Sequence, residues 1–257
     1  MRIVIKVGSN VLTRPDGHLN ITRVSAIVDQ IAWLKQQGHE LILVSSGAVA
    51  CGRRELQVNH DLDTVEQRQL FSALGQVKLI GLYYDLFREH GMHMGQILTM
   101  KENFEPGEQY DNQQACMRVM LENDVIPIVN ENDTVSVTEL MFTDNDELSG
   151  LIACMMGADM LILLSNIDGI YDGNPTDPQS RIIPEVAPGR DLSEYIQTTK
   201  SSAGRGGMVS KYTTATRVQE AGIQVIIANG SREQVLIDLI TRPDTIPHTI
   251  FSAITNP

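Results

Sequence analysis

Positive charge is what this chain is short of: 20 Lys and Arg stand against 32 Asp and Glu, a formal net charge of −12. Nucleic acid and anionic membrane surfaces both favour a basic face, so neither is expected as a partner. An anionic small substrate remains open, because a few local donors decide binding inside a pocket. Cysteine is scarce as well. Cys51, Cys116 and Cys154 are odd in number, far apart and in no C-x-x-C pair. That argues against a disulfide framework or a zinc ribbon and reads as buried thiols in a reducing compartment. No stretch approaches the roughly 18 uncharged apolar residues of a membrane span. The N-terminal run Met1–Val7 is short and broken by Lys6, unlike a signal-peptide core. A cytoplasmic protein is expected.

Several catalytic signatures are also missing. There is no G-x-x-x-x-G-K-[ST], no G-x-G-x-x-G after the first strand, no protein-kinase signature set and no H-E-x-x-H, so a P-loop, Rossmann or zincin machine is not expected. His18, His39, His60, His90, His93 and His248 form no pattern with a Ser or Cys nucleophile, and Ser46 lacks the flanking glycines of a nucleophile elbow.

What is present is an ordinary globular mixture, 42% hydrophobic and 20% charged over 257 residues, enough to bury a core without staples. Short β-rich runs at Ile3–Val7, Glu40–Val44, Gln96–Leu98, Val125–Val129, Met160–Leu164 and Gln224–Ile227 alternate with helical spacing. The helical stretches carry stripes at Val24–Leu34, ended by Gly38, and at Leu70, Leu74, Val77, Gly81 and Tyr84, stopped near Gly91. Glu108–Asn123 and Met208–Ala221 are further helices. Strands alternating with helices predict a three-layer α/β/α sandwich around a mainly parallel sheet. Val135–Phe142 alternates and reads as a small β-hairpin beside that sheet, and Pro247–Ala253 as an edge strand. The stripe from Leu70 to Tyr84 is read as core, with a homo-oligomer contact as its other use. With no repeat or linker, residues 1–257 are expected to form a single domain.

In open parallel sheets, ligands sit beyond the carboxyl ends of the strands. Gly8-Ser9, Ser46-Gly47 and Gly206-Gly207 all fall at such ends or before helices, where close backbone approach and a helix dipole suit an oxyanion. Lys6 lies inside a strand that should be buried, and an unpaired buried ammonium is costly. It either snorkels out of the strand end or is aimed at a phosphate beyond it. Lys211, on the first turn of a helix, carries the same two readings. Two lysines at one site would neutralise charge developing in phosphoryl transfer. Asp133, Asp144, Asp146 and Glu147 crowd neighbouring loops. They are a solvated surface, or they hold lysines, help coordinate magnesium or bind a substrate ammonium. Asn130, Asn132 and Asn145 add neutral donors for a carboxylate.

Together these residues resemble the amino acid kinase family over essentially the whole chain. Lys6-Val7-Gly8-Ser9 is similar to its first-strand phosphate loop, and Ile42 to Val49, containing Ser46-Gly47, to its second loop. Asn130-Glu131-Asn132-Asp133 and Asp144-Asn145-Asp146 resemble its amino-acid site motifs. Gly204-Arg205-Gly206-Gly207-Met208-Val209-Ser210-Lys211 resembles its nucleotide loop, with Arg205 and Ser210 where Thr is usual, and Ser165-Asn166 replaces a common Thr-Asp pair.

The resemblance implies transfer of the γ-phosphate of ATP to the γ-carboxylate of L-glutamate, giving L-glutamyl 5-phosphate, the first step of proline biosynthesis. It implies Lys6 and Lys211 on either side of the transferring group, held by Asp146. Ser46, Gly47, Asn130, Asp133 and Asn145 would take glutamate. Gly8, Ser9, Ser165, Asn166 and the segment from Arg205 through Gly206, Gly207, Met208, Val209 and Ser210 to Lys211 would take ATP. Mg²⁺ would ride mainly on the phosphates rather than on protein ligands. Feedback inhibition by proline is implied, and a homo-oligomer is expected. Many members continue into a C-terminal PUA domain; the sequence ends at Pro257, and none is expected here. The other readings are a member acting on N-acetylglutamate and a non-catalytic nucleotide or amino-acid sensor.

Overall fold

Arg2–Val7 (β1) opens the chain with five consecutive buried residues, and its side chains divide strictly between two faces. Ile3, Ile5 and Val7 join one hydrophobic cluster and Val4 the other, as the two-residue period of a strand requires. Lys6 therefore faces the same side as Val4. The strand thus has a core on each side, which is why its sequence is a continuous apolar run broken only by that lysine.

The computed structural model describes residues 1–56, 58–136, 142, 144–196 and 207–254. After β1 come α1 (Ser9–Leu12), α2 (Ile21–Gln36), β2 (Glu40–Ser45), α3 (Ala48–Glu55), α4 (Thr64–Glu89), β3 (His93–Thr99), α5 (Glu108–Glu122) and β4 (Val125–Glu131). Then follow α6 (Asn145–Met156), β5 (Met160–Ser165), β6 (Glu185–Val186), α7 (Ser193–Ile196), α8 (Met208–Glu220), β7 (Gln224–Asn229), α9 (Val235–Thr241) and β8 (His248–Phe251). Among the described residues the strands form one sheet of eight in the order β3-β4-β2-β1-β5-β7-β8-β6. All pairings are parallel except β7 with β8.

One core packs α2, α3, α4 and α9 against the face bearing Ile3 and Ile5, and the other packs α5, α6 and α8 against the face bearing Val4. This is the expected three-layer sandwich. No helix among the described residues is long and apolar enough to cross a membrane.

Three expectations need correction. The segment Pro247–Ala253 does form a strand, β8, but β6 lies outside it, so it is not the sheet edge. The stripe Leu70, Leu74, Val77, Gly81 and Tyr84 is not core: Val77 is 75% and Tyr84 53% exposed, while α4 buries Phe71, Leu79, Tyr83 and Phe87. Both sets repeat at helical spacing, and the one carrying the larger aromatic area won the core. Cys51 is buried, but Cys116 and Cys154 are exposed. The expected hairpin falls largely on 137–141, outside the described residues.

Two contacts fix the loop after β2. Gly47, the cap of α3, has φ +105, a conformation that suits glycine. Gly52 on α3 and Gly75 on α4 let the helices touch backbone to backbone. A Cβ on Gly75 would come within 1.7 Å of the Ala48 oxygen, and one on Gly52 within 1.8 Å of the Phe71 oxygen. At the strand end, the Ser45 hydroxyl lies 2.8 Å from the Tyr83 phenol, which burial pushes up to about 12, so two neutral hydroxyls pin β2 to α4.

Candidate active site

The chain reverses its direction of growth across the sheet at β1, with β2 on one side and β5 on the other, so the crevice beyond their carboxyl ends is where a ligand is expected. A cleft of about 1230 Å³ lies there. That volume exceeds the usual range for one small molecule, roughly 300–1,000 Å³, and suits two substrates side by side.

At its floor, the alternation of β1 turns Lys6 toward α6 and α8. Asp144 caps α6, its Oδ1 accepting the backbone N–H groups of Asp146 and Glu147 at 2.9 and 3.1 Å. Asp146 thereby sits in the first helical turn with its carboxylate at the positive end of the helix dipole. Lys6 Nζ lies 2.6 Å from Asp146 Oδ1 and Lys211 Nζ 2.8 Å from Oδ2. All three are buried: Asp146 is 0%, Lys6 5% and Lys211 6% exposed. Burial pushes the Asp146 carboxyl up, but the two ammonium groups outweigh it and hold it below the ordinary carboxylate range. Neither lysine snorkels. The three side chains alone carry one net positive charge, with the Asp144 carboxyl beside them, and the ammoniums are placed to meet a phosphate.

On one side of the triad the predicted amide and hydroxyl groups meet. Asn145 Nδ2 donates to Ser46 Oγ at 2.9 Å, to the Ser45 carbonyl at 3.2 Å and to Asn130 Oδ1 at 3.0 Å. Asn130 in turn donates to Gln76 of α4 at 3.0 Å. Asp133 lies on the same side, 2.6 Å from Arg68 Nε, and Arg68 Nη2 also pairs with Glu131. Burial pushes Glu131 up against the pull of Arg68. Asp144 also titrates high, through burial and then its neighbour Asp146.

On the other side, Gly8, Ser9, Ser165, Asn166, Gly207 and Met208 line the cleft, and the Gly8 N–H donates to the Leu164 carbonyl at 3.2 Å. The loop after β5 is braced by Asp168, which accepts two bonds from Arg232 at 2.8 and 2.9 Å. Arg232 holds the Asp168 carboxyl below its usual range. Tyr171, Pro175 and Tyr195 close this end.

Lys6, Lys211, Asp146, Ser46, Gly47, Asn130, Asp133, Asn145, Gly8, Ser9, Ser165, Asn166, Gly207 and Met208 thus converge on or beside one cleft. Val209 does not line it and is 58% exposed. Ser210 instead lies beside Asp144. Arg205 and Gly206 lie outside the described residues. Sequence reasoning missed Arg68, Gln76, Tyr171 and Tyr195, and it quoted Glu131 only as part of a motif, without a role. Arg68 and Gln76 stand on α4, dozens of positions from the residues they touch, and no local pattern marks them.

The model of the amino acid kinase family matches residues 1–229. The chain is 64% identical over 250 residues to the glutamate 5-kinase of Bacteroides thetaiotaomicron, covering 97% of this chain and 69% of that protein. It is 46% identical over 240 residues to the glutamate 5-kinase of Chlorobaculum tepidum, covering 91% and 65%. With the glutamate 5-kinase of Clostridium acetobutylicum the identity is 39% over 243 residues, covering 93% and 90%. The chain therefore spans about two thirds of the length of the first two and most of the third. Among solved structures, carbamate kinase from Giardia lamblia bound to AMP-PNP superposes with a TM-score of 0.71 at 15% identity, covering 98% of each chain. A T. acidophilum isopentenyl phosphate kinase product complex gives 0.69 at 12%, covering 98% of this chain and 100% of that one. At such identities these two speak for the fold alone.

Proposed function

Because the chain belongs to the amino acid kinase family, we propose that it is an ATP-dependent glutamate 5-kinase. The observation that carries this reading is the buried pair of lysines on one carboxylate.

The reaction needs no base. The γ-carboxylate of glutamate is ionised at neutral pH, so one of its oxygens attacks the γ-phosphorus while the bond to the β,γ-bridging oxygen breaks and ADP leaves. What the protein supplies is alignment and charge stabilisation. Lys6 and Lys211 stand on either side of the transferring group, and Asp146 keeps both ammoniums directed at it. Gly8, Ser9, Ser165, Asn166 and the segment from Gly207 to Lys211 hold ATP. Ser46, Gly47, Asn130 and Asn145 hold glutamate, and Asp133 faces its α-ammonium. The carboxylates of Asp146, Glu131 and Asp133 are engaged with cations of the protein. Mg²⁺ would then take mainly phosphate oxygens and water, a set it favours, and would supply neutralisation of phosphate charge.

A member acting on N-acetylglutamate is the competing reading. A blocked amine has no use for Asp133, which favours the free amino acid. ADP release measured with glutamate, N-acetylglutamate and UMP separates them: turnover is expected with glutamate alone. Turnover with one of the others and none with glutamate would overturn the substrate assignment. In the same assay, added proline is expected to raise the apparent KM for glutamate, since both are α-amino acids. The exposed apolar stripe of α4 supports a homo-oligomer.

A further inference from the structure

Asp133 follows β4 in a turn, and Arg68, reaching from α4, engages its carboxylate. Its Nε donates to Asp133 Oδ1 at 2.6 Å, and its Nη2 lies 2.5 Å from that oxygen and 2.5 Å from Glu131 Oε2. Glu131 is itself fixed, being the last residue of β4, with a side chain 4% exposed and Oε1 accepting the Phe142 N–H at 3.2 Å. The guanidinium is a planar, rigid fork. It therefore transmits the position of a strand residue to a loop carboxylate.

We propose that Arg68 is a positioning residue that sets substrate choice, holding Asp133 as an oriented anion for the α-ammonium of the amino acid. The proposal rests on the glutamate-kinase reading. Its logic is one of charge. Two carboxylates and one guanidinium carry a net charge of −1, which a substrate ammonium cancels. A substrate without the ammonium leaves that charge facing its own α-carboxylate. Without Arg68, two adjacent acids in a poorly solvated corner tend to share a proton, and Asp133 loses both its ionisation and its aim.

Glutarate is glutamate lacking only the α-amino group, so it isolates this term. Kinetics with both substrates are compared in the wild type, R68Q, R68K and D133N. The wild type is expected to favour glutamate strongly. R68Q and D133N are each expected to cut the glutamate-to-glutarate ratio of kcat/KM by about tenfold or more, the scale of one charge-assisted hydrogen bond. The loss should fall on KM for glutamate, with kcat within about threefold and KM for ATP unmoved. R68K should recover part of the ratio, and R68Q/D133N should be no worse than D133N. An unchanged ratio, with both substrates weakened together, overturns the proposal, because Arg68 would then serve the α-carboxylate or the fold. If R68Q does not fold, the ratio in R68K decides, an intermediate value supporting the proposal and a wild-type value overturning it. Calorimetric binding of both acids to the same variants separates the two failures. A wild type that binds glutamate without turning it over overturns the functional reading but leaves Arg68 to be judged by the binding ratio. A wild type that binds neither acid overturns both.

Discussion

Asp146→Asn is expected to abolish nearly all turnover, lowering kcat by about 10³-fold, and to destabilise the fold by about 3–5 kcal/mol, the range for removing one partner of a buried ion pair. The substitution preserves shape and position in α6. It leaves Lys6 and Lys211, both less than a tenth exposed, facing each other with no anion between them. The stability difference has a defined pH window. The Asp146 carboxyl is depressed in the folded protein, burial pushing it up and the two lysines outweighing that. Its contribution is therefore fully present above the unfolded carboxyl value and is lost as pH falls through the folded one. Urea unfolding of wild type and D146N should differ by a constant amount from neutral pH down to about pH 5, the gap closing only in strong acid. A gap that closed at neutral pH would contradict the ionised triad.

Lys211→Ala is expected to have a comparable effect on rate and a different one on stability. Removing this cation should lower kcat by about 10²- to 10³-fold, as for loss of a principal donor to the developing charge. Lys6 and Asp146 then remain as a neutral pair, but the buried Asp146 Oδ2 loses its donor and a buried side chain is truncated, so unfolding free energy should fall by about 1–3 kcal/mol, less than for D146N. KM for glutamate should change little, because the residues assigned to that substrate lie on the other side of the cleft. Steady-state kinetics beside urea unfolding checks both halves. Turnover close to wild type would remove Lys211 from the chemistry. The contrast between the two variants is the informative part: one leaves two unpaired buried cations, the other none.

The sheet and the oddity of Lys6 were legible in the sequence for the same reason. Parallel strands buried on both faces must be apolar throughout, so Ile3–Val7 and Met160–Leu164 stand out, and a lysine inside one of them is conspicuous. Burial alone left Lys6 with two readings, and its pairing with Lys211 through Asp146 came from the family resemblance. The core face of α4 was misread because Leu70, Leu74, Val77 and Tyr84 repeat at the same helical spacing as Phe71, Leu79, Tyr83 and Phe87. Periodicity locates a stripe without saying which of two stripes meets the sheet. Arg68 was invisible for another reason. Its partners are 63 and 65 positions away, and a single arginine on a helix has no local signature of what it touches. Contacts dictated by burial of a strand can be read in a sequence, whereas those made by a long side chain across a cleft depend on where the helices finally pack.

The claim at the centre is that both lysines act on one phosphoryl group. A crystal structure with ADP, Mg²⁺, aluminium fluoride and glutamate tests it most directly. Both Nζ atoms should lie within hydrogen-bond distance of the planar fluoride, approaching from different sides, with each still in contact with Asp146. A complex in which only one of them reaches the fluoride, the other turned away on Asp146 alone, would contradict the account.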